Sequence, residues 1–512
     1  VTVAWTSDLM AALSAGTVTP ILVLESIDDA PGVGGSWRLS THDVEGTPGW
    51  ISAWEVSPPE VRAREWVSTI GSFSVTIASI AWRNLANRIV RGQFVRLRIG
   101  LPGWPVSRFE ALTWGQVWNV TGNDVTRTID CRDAWSALRQ RPTTTSSALS
   151  LFWDVDDGTT DATTVATANY VAGAATVQVA STTGSARDSS AAGIIRVSPN
   201  SGADFFLKYT GKTGVAFTGC SATGQLGTTA ANADIGKAVA FGVLLVGHPI
   251  ESFTAIVTST GTAAANGPGD TLPESWGYGI PCSLLDVEDA PYWTALAQPS
   301  SGADDWDVAT FSSAADGAAW WEEVVAPGGY FVTMRMGLLT QRCAVDPNTT
   351  TTNVHAEIVE DDIVQIESVE LWSEDYDVEY DRVVVTASGV STFSSEAIGS
   401  LPAQRAITYA CAGVVFSNGA AIADEILARV GPWALRVPER IVLRTRGWYH
   451  AQLTPGDVIT FTCSWISGRL TSTKGGYDRR RAWVASAGIE QGHTTRIVLL
   501  VLPTDADALG DT

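Results

Sequence analysis

Histidine, cysteine and lysine are scarce in this 512-residue chain, and each shortage removes a class of chemistry. The five histidines, His42, His248, His355, His450 and His493, never fall at a metal-ligand spacing such as i, i+4, so a structural or surface role is expected for each. Six cysteines, at 131, 220, 282, 343, 411 and 463, stand more than fifty residues apart. That spacing excludes a C-x-x-C ligand pair, and their density is far below that of a disulfide scaffold, so six free, buried thiols are expected. No cofactor and no metal are expected either. The chain lacks G-x-S-x-G, H-E-x-x-H and G-x-x-x-x-G-K-[ST]; "GQLGTTAA" from Gly224 is glycine-rich but has no lysine to reach a phosphate. Long apolar runs are missing too, "RIVLLVLP" being of strand length, so no membrane span is predicted. The first residues, "VTVAWTSDLMAALSAG", have no basic region ahead of their short apolar stretch, which is not the pattern of a signal sequence.

Positive charge is the last shortage. The formal net charge is -21, with 33 Lys and Arg against 54 Asp and Glu, and no basic patch is visible. Such a surface repels nucleic acid, because binding it requires cations set against phosphates. From Asp286 to Asp381 there are 21 acids and only Arg335 and Arg342, with Arg382 just beyond. A solvated, self-repelling surface accounts for such a run, and so does a wall past which a polyanion slides without sticking.

What the chain has in quantity is glycine (48), tryptophan (21) and many Thr, Val and Ala, a composition of short strands and turns. The length predicts two to four domains. The stretch "TWGQVWNVTGNDVTRTIDCRDAWSALRQRP" switches period: two β-segments flank the turn Thr121-Gly122-Asn123-Asp124, then Trp135 and Leu138 recur at helical spacing until Pro142. A hairpin followed by a short helix is predicted, the helix closing a first barrel. In "QFVRLRIG", Arg96 and Arg98 alternate with Val95, Leu97 and Ile99, so the arginines are expected to face solvent.

These patterns divide the chain into residues 1–145, a first β-barrel; 146–242, an inserted peripheral β-domain rich in Thr, Ala, Ser and Gly; 243–350, an α/β portion; and 351–512, a second barrel with one amphipathic helix. The fold class is therefore mainly β with an α/β portion joining two barrels. Between 162 and 240 the balance is five bases to three acids, in contrast to the acid-rich residues beyond it. A helix is predicted from Pro249, another after Asp304-Asp305, then a turn at Pro327-Gly328-Gly329 and a strand. "AAIADEILARVG" from Ala420 is predicted to be a helix stopped by Gly431 and Pro432. Strands are read in "DRVVVTAS", "ERIVLRTRG", "GDVITFTCSW", "AWVASAGIE" and "TRIVLLVLP", so that the second barrel mirrors the first. No repeat of 20 to 50 residues is present.

Candidates for chemistry are few. Asp304, Asp305 and Asp307 supply oxygens suited to calcium, or cap the helix expected after them. Glu322 and Glu323 offer carboxylates of the glycosidase kind, although adjacent acids arise by chance in so acidic a chain. Trp320-Trp321 is either a sugar-stacking face or core. No residue is assigned a catalytic role, and the chain is not expected to be an enzyme.

Three segments resemble the tail hub, or baseplate hub, proteins of long-tailed bacteriophages and phage-like gene transfer particles: "VRLRIGLPGWPVSRFEALTWGQVWNVTGNDVTRTIDCRDAWSALRQR", "GHPIESFTAIVTSTGTAAANGPGDTLPESWGYGIP", and "LTPGDVITFTCSW" with the later "RRRAWVASAGIEQGHTTRIVLLVLP". The resemblance spans about 400 residues and leaves out the 146–242 insert. It implies two tail-tube-like β-barrels joined by an α/β layer, and a homotrimer forming a pseudo-sixfold ring. The implied site is the virion tail tip, assembled in the host cytoplasm. Partners implied are a tail tube or distal tail protein and a central spike or fibre, with DNA passing through the ring without specific binding. On that reading Glu360, Asp361, Asp362, Glu367, Glu370, Glu374 and Asp375 are candidate linings of the channel. A carbohydrate-binding or depolymerising virion protein that contacts the host surface, and a non-viral β-rich enzyme or adhesin, are the alternatives; a cleft of convergent polar groups marks an enzyme and a broad self-complementary side marks a hub.

Overall fold

The computed structural model describes residues 5–15, 18–27, 36–139, 162–182, 193–202, 205–222, 230–242, 245–247, 253, 257, 280, 284–286, 306–308, 317–349, 352–370, 380, 382–387, 390–396, 406–411, 414–416, 419–466, 476–490 and 493–504. The fold is mainly β, as composition predicts. A first sheet is built from β1 (Ile21–Ser26), β2 (Arg38–Ser40), β3 (Ile51–Val56), β6 (Phe73–Ala78), β7 (Phe94–Gly100), β8 (Glu110–Gly122) and β9 (Thr126–Arg132) in the order β2-β1-β7-β8-β9-β6-β3. Between β3 and β6 lies the small hairpin of β4 (Glu60–Arg62) and β5 (Val67–Thr69). Strict alternation produces these strands: β6 places Phe73, Val75 and Ile77 on one face, where they meet Val95, Leu97 and Ile99 of β7 and Ile129 and Cys131 of β9. Helix α1 (Ser7–Ala15) adds Leu9, Met10 and Leu13 to that interior, and α2 (Ser79–Leu85) adds Ala81 and Leu85.

The expected hairpin is β8–β9, and its turn shows why the sequence reverses there. Gly122 has φ of 139°, and Asn123 Oδ1 accepts hydrogen bonds from the backbone N–H groups of Val125 and Thr126. The expected helix also forms, as α3 (Ala134–Leu138), capped by Asp133 Oδ1, which accepts from Ser136 N at 2.8 Å. Its destination differs from expectation. Trp135 and Leu138 pack with Phe253, Trp320 and Trp321 in a central cluster, not in the first sheet's interior, which α1 and α2 cover instead.

The second sheet comprises β10 (Ala356–Ile358), β11 (Ile363–Glu370), β12 (Glu439–Arg446), β13 (Val458–Cys463), β14 (Tyr477–Glu490) and β15 (Thr494–Val501), ordered β10-β13-β14-β15-β12-β11. Its two end strands are consecutive in the chain, joined only by the turn Glu360–Asp362. Ile358, Ile363, Ile441, Leu443, Ile459, Phe461, Ala482, Val484, Ile497 and Leu499 from all six strands share one interior, while Val442, Val458, Trp483, Val498 and Leu500 face the central cluster.

Both sheets have the same connectivity. Pairing β2, β3, β6, β7, β8 and β9 with β10 to β15 in order makes the two strand orders identical, except that β1 is interposed between β2 and β7. The direction survives that interposition: β2 and β7 each run antiparallel to β1 and so parallel to one another, as β10 and β13 do. Register agrees in detail. A bulge falls after Ile51 in β3 and after Ile363 in β11, a second after Val117 in β8 and Val484 in β14, and a third in β8 opposite Leu97 and in β14 opposite Phe461, while β11 has one more after Ile366 that β3 lacks. The turn entering β7 is repeated too. Gly92 N donates to Val117 O while Val117 N donates to Gln93 O, just as Gly456 N donates to Val484 O while Val484 N donates to Asp457 O. Gly92 and Gly456 have φ of 86° and 100°, a region that favours glycine.

The central cluster between the sheets is the largest apolar body. It gathers Trp66 from the link between β4 and β5, the buried hairpin Tyr330–Arg335 and Leu338–Cys343, and helix α4 (Gly419–Leu435). The helix does not stop at Gly431 and Pro432 as predicted. Proline inside a helix costs about 3 kcal/mol, but continuing for one more turn buries Trp433 and Ala434 fully, with Trp433 set edge-on to Trp66 and Trp483. Arg382–Ala387 likewise does not join the second sheet; it is the middle strand of a separate sheet with Val390–Glu396 and Ala406–Cys411, against which α4 packs. The helix expected after Asp305 is corrected as well, since Trp306–Val308 is a strand paired on both sides, with Leu245–Gly247 and Val414–Phe416. Two laddered neighbours and a Trp-x-Val sequence favour strand over any dipole gain from the preceding acids. The helix from Gly317 and the turn before Tyr330 do form. Of the helix predicted from Pro249, Phe253 and Val257 are helical and buried; its other residues, and the loop from Asn266 to Gly279, lie outside those described.

Val165, Tyr170, Val177, Ile195, Phe205, Leu207, Phe217 and Val239 form a cluster drawn from residues 165–239 alone. Five strands, including Gly193–Val197 and Phe205–Tyr209, make one sheet, and Thr176–Gln178, Gly211–Thr213 and Ala216–Thr218 make another.

Candidate functional site

The candidate site is the outer face of β11, β12 and β15, where the acid-rich sequence is assembled next to arginines that are remote in the chain. Alternation turns Ile441 and Leu443 inward and Arg440 and Arg444 outward on β12, and Arg496 outward on β15. Glu367 on β11 meets Arg444 at 2.9 Å and Arg496 at 3.0 Å; Arg444 also reaches Glu490 at 2.8 Å. Glu370 meets Arg440 at 2.8 Å, and Arg440 approaches Glu60 of the β4 hairpin at 3.7 Å. Two of the acids counted along residues 286–381 are thus paired in space with arginines from strands near the end of the chain.

The turn between β10 and β11 holds the other described candidates. Asp362 Oδ2 accepts from Val359 N at 3.1 Å and lies 3.6 Å from His450 Nε2. Burial holds the His450 imidazole below its ordinary pKa, the nearby Asp362 opposing that shift. Glu360 accepts from Ser464 N, and the Ser464 side chain, with that backbone bond second, holds its carboxyl below the usual range. Asp361 is exposed. Glu374 and Asp375 lie outside the described residues.

Sequence reasoning missed two buried charge clusters. Arg96 and Arg98 do not face open solvent: with Arg38 they surround the buried Glu25 of β1 at 2.8, 3.3 and 3.1 Å. Burial alone raises the Glu25 pKa, but the three guanidiniums outweigh it and the carboxyl stays below its usual range. In the second sheet Asp457 meets Arg342 at 2.7 Å and His355 at 3.7 Å. The signal for the first cluster was present, since an acid in "ILVLES" opposite two arginines in "VRLRIG" suits a cross-strand pair.

The remaining candidates are accounted for. Trp320 and Trp321 are each 1% exposed and belong to the central cluster, so they present no sugar-stacking face. Glu322 is 3.5 Å from Arg139, and the side chain of Glu323 lies outside those described. Asp307 lies in the strand Trp306–Val308, and Asp304 and Asp305 are outside the described residues. Five cysteines, 131, 220, 343, 411 and 463, are free and buried, with burial pushing the thiols of Cys220 and Cys411 up to about 11 and about 12; Cys282 is outside the described residues. Among the described residues no His, Cys, Asp and Glu group could hold a metal, and no helix is long and apolar enough to cross a membrane.

No protein-family model matches the chain, and no curated protein does. Among solved structures it is similar to the 43 kDa tail protein of prophage MuSo2 from Shewanella oneidensis, at 10% identity over 94% of this chain and 97% of that one, with a TM-score of 0.34. It is also similar to a chain from the virion of a native gene transfer agent particle, at 16% identity over 36% of this chain and 38% of that one, TM-score 0.23. A chain from a lidless PdpA–VgrG complex is similar at 7% identity over 94% of this chain and 64% of that one, TM-score 0.31. Likenesses of this size fix neither fold nor function.

Proposed function

We propose that the chain is a structural tail protein of a phage-type particle. It would be a trimeric hub at the distal end that joins the tail tube to the baseplate or tip and forms part of the channel for DNA. The observation carrying this reading is the doubled sheet, in which six strands recur in the same order with three bulges at matching positions. A chain that holds one unit twice can meet a sixfold neighbour with three copies, because cyclic symmetry supplies the rest. The sequence resemblance to tail hubs leads to the same assembly. Each sheet would be one of six tube-like units, although among the described residues its two end strands, which follow one another in the chain, do not pair.

On this reading only the charged strip of β11, β12 and β15 lines the bore, since Val442, Val498 and Leu500 of the same face are covered by the central cluster. The lining is then a lattice of Glu367, Glu370, Arg440, Arg444 and Arg496, with Glu360, Asp361 and Asp362 at its edge; Glu374 and Asp375 are assigned to it from sequence. A face whose cations are already engaged by carboxylates leaves few to displace counterions from a passing duplex. Electron microscopy of the purified protein is expected to show rings of three chains, with Glu367 and Glu370 at the inner wall. A stable monomer with no ring in any particle, or those glutamates on the outer rim, rules the reading out.

The insert is proposed to be a peripheral unit, since its apolar cluster uses residues 165–239 only. Replacing residues 150–240 by a short Gly/Ser linker is expected to give a soluble product with the parent's helical and β circular-dichroism bands less the insert's share; insoluble product counts against that boundary.

A further inference from the structure

Within one molecule the two sheets touch at a defined place. Trp54 on β3 lies edge-on to Trp448, just after β12, at 6.1 Å between ring centroids, and Trp448 stacks on His493 in the β14–β15 turn at 5.1 Å. Trp448 and Ile489 are thereby buried among first-sheet residues, and Ala451 packs there too. The β4 strand that follows β3 pairs with β14 through Glu60 and Ser486, and Pro58 presses on Gly488 so closely that a Cβ there would sit 2.4 Å from the proline Cβ. The side of the first sheet bearing β3 therefore docks on the side of the second bearing β14 and the β12–β13 link.

Because the registers match, each participant has a counterpart in the other sheet. Aligning Thr76 with Arg444 and Thr128 with Arg496 sets Ile80 opposite Trp448, Val125 opposite His493, and Arg83 opposite Ala451; aligning Ile51 with Ile363 sets Trp54 opposite Ile366. The counterparts on the first sheet are uncovered, while Ile366 is half-buried against the interior of its own sheet. Trp448 is 4% exposed, whereas Ile80 is 60% and Val125 is 73% exposed, and the two are adjacent because Ser79 N donates to Val125 O. On the other sheet Val364, at the β11 bulge beside Ile366, is 54% exposed. Single exposed apolar side chains are ordinary; two neighbours at the positions where Trp448 is buried and His493 half-buried in the sister sheet are not. Arg83, on the same helix as Ile80, lies exposed with no ion pair among the described residues, in a chain whose net charge is -21. A second copy is thus an electrostatically complementary partner for this side.

We propose that Ile80 and Val125, rimmed by Arg83, receive the β11 edge at Val364 and Ile366 of a second copy of this chain, repeating between molecules the contact that Trp448 and Trp54 make within one. The contact is heterologous, so its repetition closes into a ring when the rotation permits. This rests on the hub reading for the ring, and on the structure alone for the surface.

The test uses the full chain, as wild type and as Ile80→Asp with Val125→Asp, in mass photometry over a concentration series. Both positions are exposed, so the variant is expected to retain the parent's circular dichroism and melting temperature while self-association weakens about tenfold or more, as for loss of an interface hot spot. A second variant, Ile80→Cys with Ile366→Cys, is expected to form disulfide-linked oligomers under oxidation, since every described native cysteine is buried. Wild-type rings that persist in the double aspartate variant and show no such cross-link overturn this interface and leave the hub intact. A wild type that never associates overturns both.

Discussion

Replacing Trp433 by alanine is expected to destabilise the protein by about 3–5 kcal/mol, the range for deleting a buried aromatic side chain. Trp433 has no exposure, and its ring lies 6.0 Å from Trp66 and 5.1 Å from Trp483, with Phe331 a further 5.8 Å from Trp483. These four rings join the β4 hairpin, α4, the central hairpin and the second sheet, so the cavity opens where four elements meet. Phenylalanine substitutions separate packing from polarity. Trp433 Nε1 donates to Val345 O at 3.1 Å, whereas Trp483 Nε1 is buried with no acceptor among the described residues. Trp483→Phe is therefore expected to cost less than Trp433→Phe, by about 1 kcal/mol. Thermal melts of the three variants decide it; equal losses for the two phenylalanines contradict the assignment of the Trp433 hydrogen bond.

The second large effect is electrostatic. Arg342→Met is expected to cost about 3–5 kcal/mol, because it strands the Asp457 carboxylate in the interior. The Arg342 and Asp457 side chains are 2% and 7% exposed. Burial pushes the Asp457 pKa up, but Arg342, His355 and the Thr454 N–H pull harder, and the net position is below the usual carboxylate value. A depressed carboxylate contributes stability that is present above its unfolded pKa, near 4, and lost as pH falls through the folded value. Without Arg342, burial prevails and the loss begins at milder acidity. Asp457→Asn in the Arg342→Met background is expected to recover most of the stability, since Gln93 fills the equivalent turn of the first sheet with a neutral amide, its Oε1 3.4 Å from Val90 N as Asp457 Oδ2 is 2.8 Å from Thr454 N. Melting curves from pH 3 to 7 test this; a double variant no better than Arg342→Met refutes it.

Much of the strand content was legible because β6, β7 and β13 alternate, because β12 and β15 carry apolar runs of strand length, and because the β8–β9 turn announces itself with Gly122 and Asn123. Errors arose where distant partners override local preference. Pro432 reads as a helix stop until Trp433 has a pocket, and "DDWDV" reads as a helix start until two strands flank it. The acidic face misled for the same reason: Arg440, Arg444 and Arg496 are over seventy residues away from Glu367, so a running count along the chain misses them. The doubling was expected as a second barrel mirroring the first, but not strand by strand, since its units lie in the two ends of the chain and share almost no residues. "RGQFVRLR" from Arg91 and "PGDVITFT" from Pro455 share its trace: a glycine that must take positive φ, then a side-chain acceptor that closes the turn, then alternation.

Carrying the sheet twice in one polypeptide has a consequence for how it can change. In an assembly of identical single-sheet subunits, every substitution appears at every position at once, so no site can be altered alone. Here one half can drift while the other is held: Gln93 stands where Asp457 does, Thr128 where Arg496 does, and Ile80 where Trp448 does. Two faces descended from one pattern are thereby free to specialise for different neighbours.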